Sequence, residues 1–259
     1  AERYGVKGIR HEEIMSIYGS QEGMAHIAMA ICDPGDVVLV PNPGYPVFTA
    51  GPFLCGAKVE TYDLHPENNF LIEFDKIPEE QAKRAKMMIV SYPLNPVCVT
   101  APDSFYEELI AFAKKYNIII LHDNAYSDII YGGKVGKSFL AFEGAKEVGV
   151  EFYSLSKSYN YTGARMSFVV GNQAIIDRFK CVRSQIDYGI FLPVQYGAIA
   201  ALTGPQDAVK AQCEEYDRRN HALSEGLTSI GWRVPLSQGT MFSWAPIPNG
   251  FTNSNDFVM

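Results

Sequence analysis

The residues best equipped for chemistry lie in Ser154-Leu155-Ser156-Lys157-Ser158-Tyr159-Asn160-Tyr161-Thr162-Gly163-Ala164-Arg165. A lysine follows a short apolar run, Val150 to Leu155, and an arginine follows the lysine. An ammonium is no nucleophile. An amine near other cations, or partly desolvated, loses its proton more easily and can form a Schiff base. Ser154, Ser156 and Arg165 suit an anion, with phosphate the first candidate. A lysine among serines is more often a solvated loop residue, so the rest of the chain must weigh in.

The elements that would position these residues alternate between strand and helix. A helix is expected from His11 to Ile17. Gly19-Ser20-Gln21-Glu22-Gly23 then opens a helix whose Met24, Ile27, Ala28 and Ile31 form one stripe. The exposed amides at such a start can seat a phosphate, and an ordinary cap at Ser20 explains the same residues equally well. Val37 to Val40 reads as a strand, followed by the rigid loop Pro41-Asn42-Pro43-Gly44-Tyr45-Pro46. Tyr45 there is either a packing aromatic or a ring that stacks on a flat ligand. Ala57 to Tyr62 and Lys86 to Ser91 are further strands, and the second leads into Tyr92-Pro93-Leu94-Asn95-Pro96. The prolines hold Asn95 stiffly. A helix is predicted from near Thr100, with a weak capping box to Asp103, ending at Asn117.

Ile118 to Leu121 is a continuous apolar run, as in a strand covered on both faces, and it delivers His122, Asp123 and then Tyr126. Strands are also expected over Val148 to Leu155 and Met166 to Val170, and helices over Gln173 to Gln185, Pro193 to Leu202 and Gln206 to Leu227. Trp232 to Val234 and Met241 to Trp244 read as two strands of a second, smaller domain. The pattern predicts an α/β protein with a mostly parallel central sheet sandwiched by helices. Tyr45, Asn95, Asp123 and Lys157 all then fall at the carboxyl ends of strands, where such sheets bind ligands.

At 259 residues the chain can bury a substantial core. A net charge of −7 argues against nucleic acid or an anionic membrane as partner. Cys32, Cys55, Cys98, Cys181 and Cys213 show no paired spacing, so free buried thiols in a reducing compartment are expected. With no signal peptide and no run long enough to span a bilayer, a cytoplasmic protein is expected. The histidines show no metal spacing, so no metal site is expected. Asp187 and Asp217 read as solvated. The first residue, Ala1, and the polar stretch before Met259 suggest sequence missing on both sides.

The ordered pattern from Tyr18 to Trp244 resembles the class I/II aminotransferases, a fold-type I group, nearest the LL-diaminopimelate, alanine and aspartate aminotransferase branches. The resemblance implies pyridoxal 5′-phosphate as cofactor and transfer of an amino group between an amino acid and a 2-oxo acid. Carried over by position, Gly19, Ser20 and Gln21 match the phosphate loop, Tyr45 the ring-stacking aromatic and Asn95 the Asn of an Asn-Pro motif. Asp123 matches the acid on the pyridine nitrogen, and Tyr126 the phenol at the ring hydroxyl. Ser154 and Arg165 match phosphate ligands, and Lys157 the Schiff-base lysine. Lys157, Asp123 and Tyr126 are thus the expected catalytic residues. A homodimer is also implied. Residues 1–228 are expected to form the large cofactor-binding domain and 229–259 the beginning of a small one.

Some positions depart from the family pattern. Leu94 and Cys98 replace a common Asn and Gly, Ala164 replaces an aromatic, and Ser167 replaces a Gly. The family's arginine that grips the substrate carboxylate is expected beyond the end of this chain, and Arg233 lies too early to be that residue. Two alternatives therefore stand beside transamination: a pyridoxal-phosphate β-carbon–sulfur lyase on the same fold, and a truncated relative without catalysis.

Overall fold

The computed structural model describes residues 2–134 and 136–259. A seven-stranded sheet runs through it in the order β1-β7-β6-β5-β4-β2-β3. The strands are β1 Ile14–Ile17, β2 Val37–Asn42, β3 Lys58–Asp63, β4 Ala85–Ser91, β5 Ile119–Asp123, β6 Gly149–Ser154 and β7 Ser167–Gly171. The helices are α1 Ser20–Ile31, α2 Val47–Leu54, α3 Glu79–Arg84, α4 Asp103–Tyr116, α5 Ala145–Val148, α6 Leu155–Ser158, α7 Gln173–Arg183, α8 Leu192–Thr203, α9 Asp207–Ser229 and α10 Ser254–Val258. The five strands from β3 to β6 pair in parallel, whereas β6–β7 and β7–β1 are antiparallel. The expected mostly parallel sheet is present, as are the strand–helix alternations that build it.

Successive residues of the central strands feed opposite layers, as the strand period requires. Val37, Leu39, Met88, Val90 and Ile120 pack under α4 through Phe105, Leu109, Phe112 and Ala113. Val38, Val40, Met87, Ile89 and Leu121 pack on the other face, against Met24, Ile27 and Ala28 of α1 and Ile175, Ile176 and Phe179 of α7. Both faces of the sheet are therefore dry, which explains why its strands read as continuous apolar runs. Asn117 ends α4 in the left-handed conformation, at φ 57°, a position that Asn tolerates. Among the described residues, no helix is long and apolar enough to cross a membrane.

Several local expectations are corrected. His11 to Ile17 is not a helix: a short 3-10 turn, His11–Glu13, leads into β1, where Ile14 faces Val170 and Ile17 faces Ser167. Edge pairing with β7 overrides a weak local signal. Thr100 caps nothing. Its amide and hydroxyl both donate to Gln238 Oε1, at 3.0 and 2.9 Å, and α4 begins at Asp103 behind Pro102. Trp232 to Val234 and Met241 to Trp244 are not strands. Their polar groups are taken by other contacts: Ser224 Oγ donates to Val234 O at 2.6 Å, and Ser237 Oγ to Phe242 O at 2.6 Å. The cysteines are free, but only Cys32 and Cys98 are buried, and Cys181 is exposed.

Candidate functional site

Strand direction decides which side chains meet. β4, β5 and β6 run in parallel, so Ser91, Asp123 and Ser154 end along one edge of the sheet. The single turn α6 follows Ser154 directly and carries Lys157. Asn95 lies just beyond β4, and Tyr45 just beyond β2. From β2 the sheet grows one way to β3 and the other way to β4, and ligands favour such a reversal point. Because β7 runs antiparallel, it enters the sheet at this same edge, which brings Arg165 there. β1 also ends at this edge and hands the chain through Tyr18 and Gly19 to α1.

The result is a cavity of about 320 Å³. It is lined by Ser20, Gln21, Tyr45, Asn95, Asp123, Tyr126, Ser154, Lys157 and Arg165, all singled out from the sequence. Gly19 stands just behind this wall. Its φ is +91°, and a Cβ there would lie 2.1 Å from Arg165 Nη2. Only glycine combines that backbone with so close an approach. Arg165 Nη2 donates to Tyr18 O at 3.2 Å and Nη1 to Thr162 O at 3.0 Å, which aims the guanidinium at the start of α1. Ser20 Oγ is buried without a hydrogen-bond partner among the described residues. An orphaned hydroxyl at a helix start beside an arginine is what an anion site would satisfy.

The lysine turn is held from several sides. Ser154 Oγ accepts from Ser156 N at 3.1 Å and from Ser167 Oγ at 2.9 Å. Thr162 Oγ1 donates to Ser156 O at 2.8 Å, and Gln212 Nε2 to Lys157 O at 2.7 Å. Lys157 Nζ lies 5.8 Å from the centre of the Tyr126 ring. The Tyr45 hydroxyl donates to Gln21 Oε1 at 2.9 Å, and its ring meets Phe48 edge-on.

Burial dominates the electrostatics. It pushes the Asp123 carboxyl up to about 6; His122, the Ala125 N–H and Lys157 act in the opposite direction. Asp123 Oδ1 accepts that N–H at 3.3 Å. Burial also raises the Tyr126 phenol, helped by the charge of Asp123, while the Asn95 side chain pulls it down. A cation placed in the cavity would draw Asp123 back to its charged form.

Met24, Val47, Ala125, Thr162 and Phe242 line the cavity too. Thr162 lay inside the lysine stretch and could have been found there. Phe242 gave no signal. It packs edge-on against Tyr126, at 5.6 Å between ring centres, because a distant loop is pinned by Thr240 N to Ile129 O at 2.8 Å.

Fold and cavity together define a lysine-centred α/β protein whose acid, arginine and helix start share one pocket. The family model for aminotransferase class I and II matches residues 1–256, and the chain belongs to that family. It is 46% identical over 254 residues to an LL-diaminopimelate aminotransferase of Halothermothrix orenii, covering 98% of this chain and 65% of the relative. It is 40% identical over 250 residues to the glutamate-pyruvate aminotransferase AlaC of Escherichia coli, covering 96% of this chain and 61% of the relative. The substrate-bound BacF structure from Bacillus subtilis superposes with a TM-score of 0.95 at 36% identity, covering 99% of this chain and 65% of the other. The chain thus spans about two-thirds or less of these relatives' lengths.

The family works with pyridoxal 5′-phosphate. The residues present fit it: an amine, a partly buried acid, a half-buried aromatic, and a hydroxyl without a partner among the described residues beside an arginine. The cavity volume is at the lower end of the range for small-molecule sites.

Proposed function

We propose that this chain forms the cofactor-binding part of a transaminase that moves an amino group between an amino acid and a 2-oxo acid. One observation carries the reading: Ser20, Tyr45, Asn95, Asp123 and Lys157 line the same cavity although they are far apart in sequence. Pyridoxal phosphate would supply an aldehyde for the lysine amine and a ring that accepts the electron pair left at the substrate α-carbon. Everything else falls to the chain's own residues. Asp123 holds a proton on the ring nitrogen by its charge. Tyr126 and Asn95 orient the ring hydroxyl, and Tyr45 covers a ring face. Gly19, Ser20 and Gln21 offer the first amides of α1 to the phosphate, with Ser154 and Arg165 beside them. The Lys157 amine, when free, would carry a proton to and from the substrate α-carbon.

Residues 1–228 serve as the large domain and 229–259 as the beginning of a small one. The relatives' names favour diaminopimelate or glutamate as donor. A homodimer is supported by the exposed apolar side chains Tyr188, Phe191, Leu192, Tyr196 and Ile199 at and before α8. The free thiols suit a cytoplasmic setting.

The test is a half-reaction. The protein at its natural length, loaded with pyridoxal phosphate, is mixed with each donor in turn, and the cofactor spectrum and released oxo acid are followed. Stoichiometric oxo acid without net turnover, and its reversal by a second oxo acid, is the expected result. Release of ammonia with no acceptor added would overturn transamination in favour of elimination.

A further inference from the structure

The start of α1 carries an unexpected charge. Glu22 sits in its first turn, close behind Ser20 and Gln21 of the cavity wall. One carboxylate oxygen accepts the Tyr18 N–H at 3.2 Å and so shapes the loop. A carboxylate is welcome at an empty helix start, but it repels a second anion brought there. Glu22 Oε1 meets His26 Nδ1 at 2.8 Å, and Arg183, the last residue of α7, faces the other oxygen. It is 4% exposed, and its Nη1 lies 3.3 Å from Glu22 Oε2. The same guanidinium takes Asp187 through Nε at 2.9 Å and lies 5.8 Å over the Tyr18 ring. Asp187 is therefore not the solvated acid its sequence context suggested. Its other oxygen accepts from Gly189 N at 2.8 Å, and Gly189 O accepts from the Tyr18 hydroxyl at 2.6 Å.

We propose that Arg183 is a positioning residue for phosphate: it offsets part of the charge of Glu22, so that the start of α1 can receive a dianion while Glu22 keeps the Tyr18 loop in place. The inference rests on the reading that this loop and Arg165 hold the cofactor phosphate. Arg165 reaches the cavity itself, whereas Arg183 acts from behind it, through Glu22 and Tyr18. An arginine buried against two acids is an arrangement that fails badly when one partner is removed.

The experiment compares pyridoxal phosphate with pyridoxal, which has the same ring and no phosphate, in equilibrium titrations of the natural-length apoprotein. The readout is the ratio of the two affinities. Arg183→Met is expected to lower that ratio about tenfold or more, the size of a lost charge-assisted interaction. Adding Glu22→Gln to it restores most of the ratio, because the amide oxygen still accepts the Tyr18 N–H and the repelling charge is gone. A merely structural arginine would weaken both ligands together and would gain nothing from the second change. Glu22→Gln alone keeps Arg183 and is expected to raise the ratio about threefold, as a partly screened charge would. That arm decides the matter should Arg183→Met not fold. An unchanged ratio in Arg183→Met, or an unchanged or lowered one in Glu22→Gln, overturns the proposal. Equal affinities for the two ligands in the unmodified protein overturn the phosphate reading itself, before Arg183 is in question.

Discussion

Replacing Asp123 by Asn should make the cofactor-free protein more stable and the enzyme useless. Burial lifts the Asp123 carboxyl from its usual 3.8 to about 6. At about 1.4 kcal/mol for each tenfold change in acidity, keeping this group charged in the empty site costs about 3 kcal/mol. Because the folded value lies above the unfolded one, the folded state binds the extra proton. The group's contribution is fully present below about pH 4 and is lost as pH rises through about 6. Urea denaturation of the apoprotein at pH 4.5 and pH 8 measures this directly. The Asn variant should gain up to about 3 kcal/mol over the parent at pH 8 and much less at pH 4.5. Other effects of the substitution are common to both conditions and cancel in the comparison. The same variant should lose the charge that holds a protonated pyridine and with it the half-reaction, a trade of function against stability. An equal difference between variant and parent at the two pH values would refute the reasoning.

Other consequences are simpler to state. Gly19→Ala must adopt a positive φ and push against Arg165; it should cost about 1–3 kcal/mol, read by thermal melting, and weaken pyridoxal phosphate binding in the same titration. Arg165→Met should weaken pyridoxal phosphate by about tenfold to a hundredfold while leaving pyridoxal nearly unaffected, seen by absorbance titration. Leu109→Ala removes a fully buried side chain of α4 far from the cavity wall; it should cost about 2–5 kcal/mol in denaturation and leave the half-reaction rate per folded molecule unchanged.

What the sequence made legible follows from how local each signal was. Ile118 to Leu121 announced a covered central strand because both of its faces are dry. The parallel alternation then told which ends would meet, and so brought Tyr45, Asn95, Asp123 and Lys157 to one edge. The lysine stretch carried Ser154, Lys157 and Arg165 within one strand–turn–strand unit, so its spacing alone reflected the geometry. β1 was missed because its four residues become a strand only through β7, which lies far along the chain. Phe242 was invisible for a similar reason: a loop tied to Ile129 carries it to Tyr126. Trp232 and Met241 had the composition of strands but meet no neighbouring strand among the described residues, and composition cannot supply one. Asp187 looked solvated because nothing in its neighbourhood names Glu22, which shares its arginine.

The account stands on the amine of Lys157. Borohydride reduction of the protein loaded with pyridoxal phosphate, followed by digestion and mass spectrometry, locates the lysine bonded to the cofactor. The mass of the reduced cofactor should appear on the peptide containing Lys157 and on no other lysine, and it should vanish in Lys157→Ala. Label on a different lysine, or the same yield of labelled protein from Lys157→Ala, would contradict it.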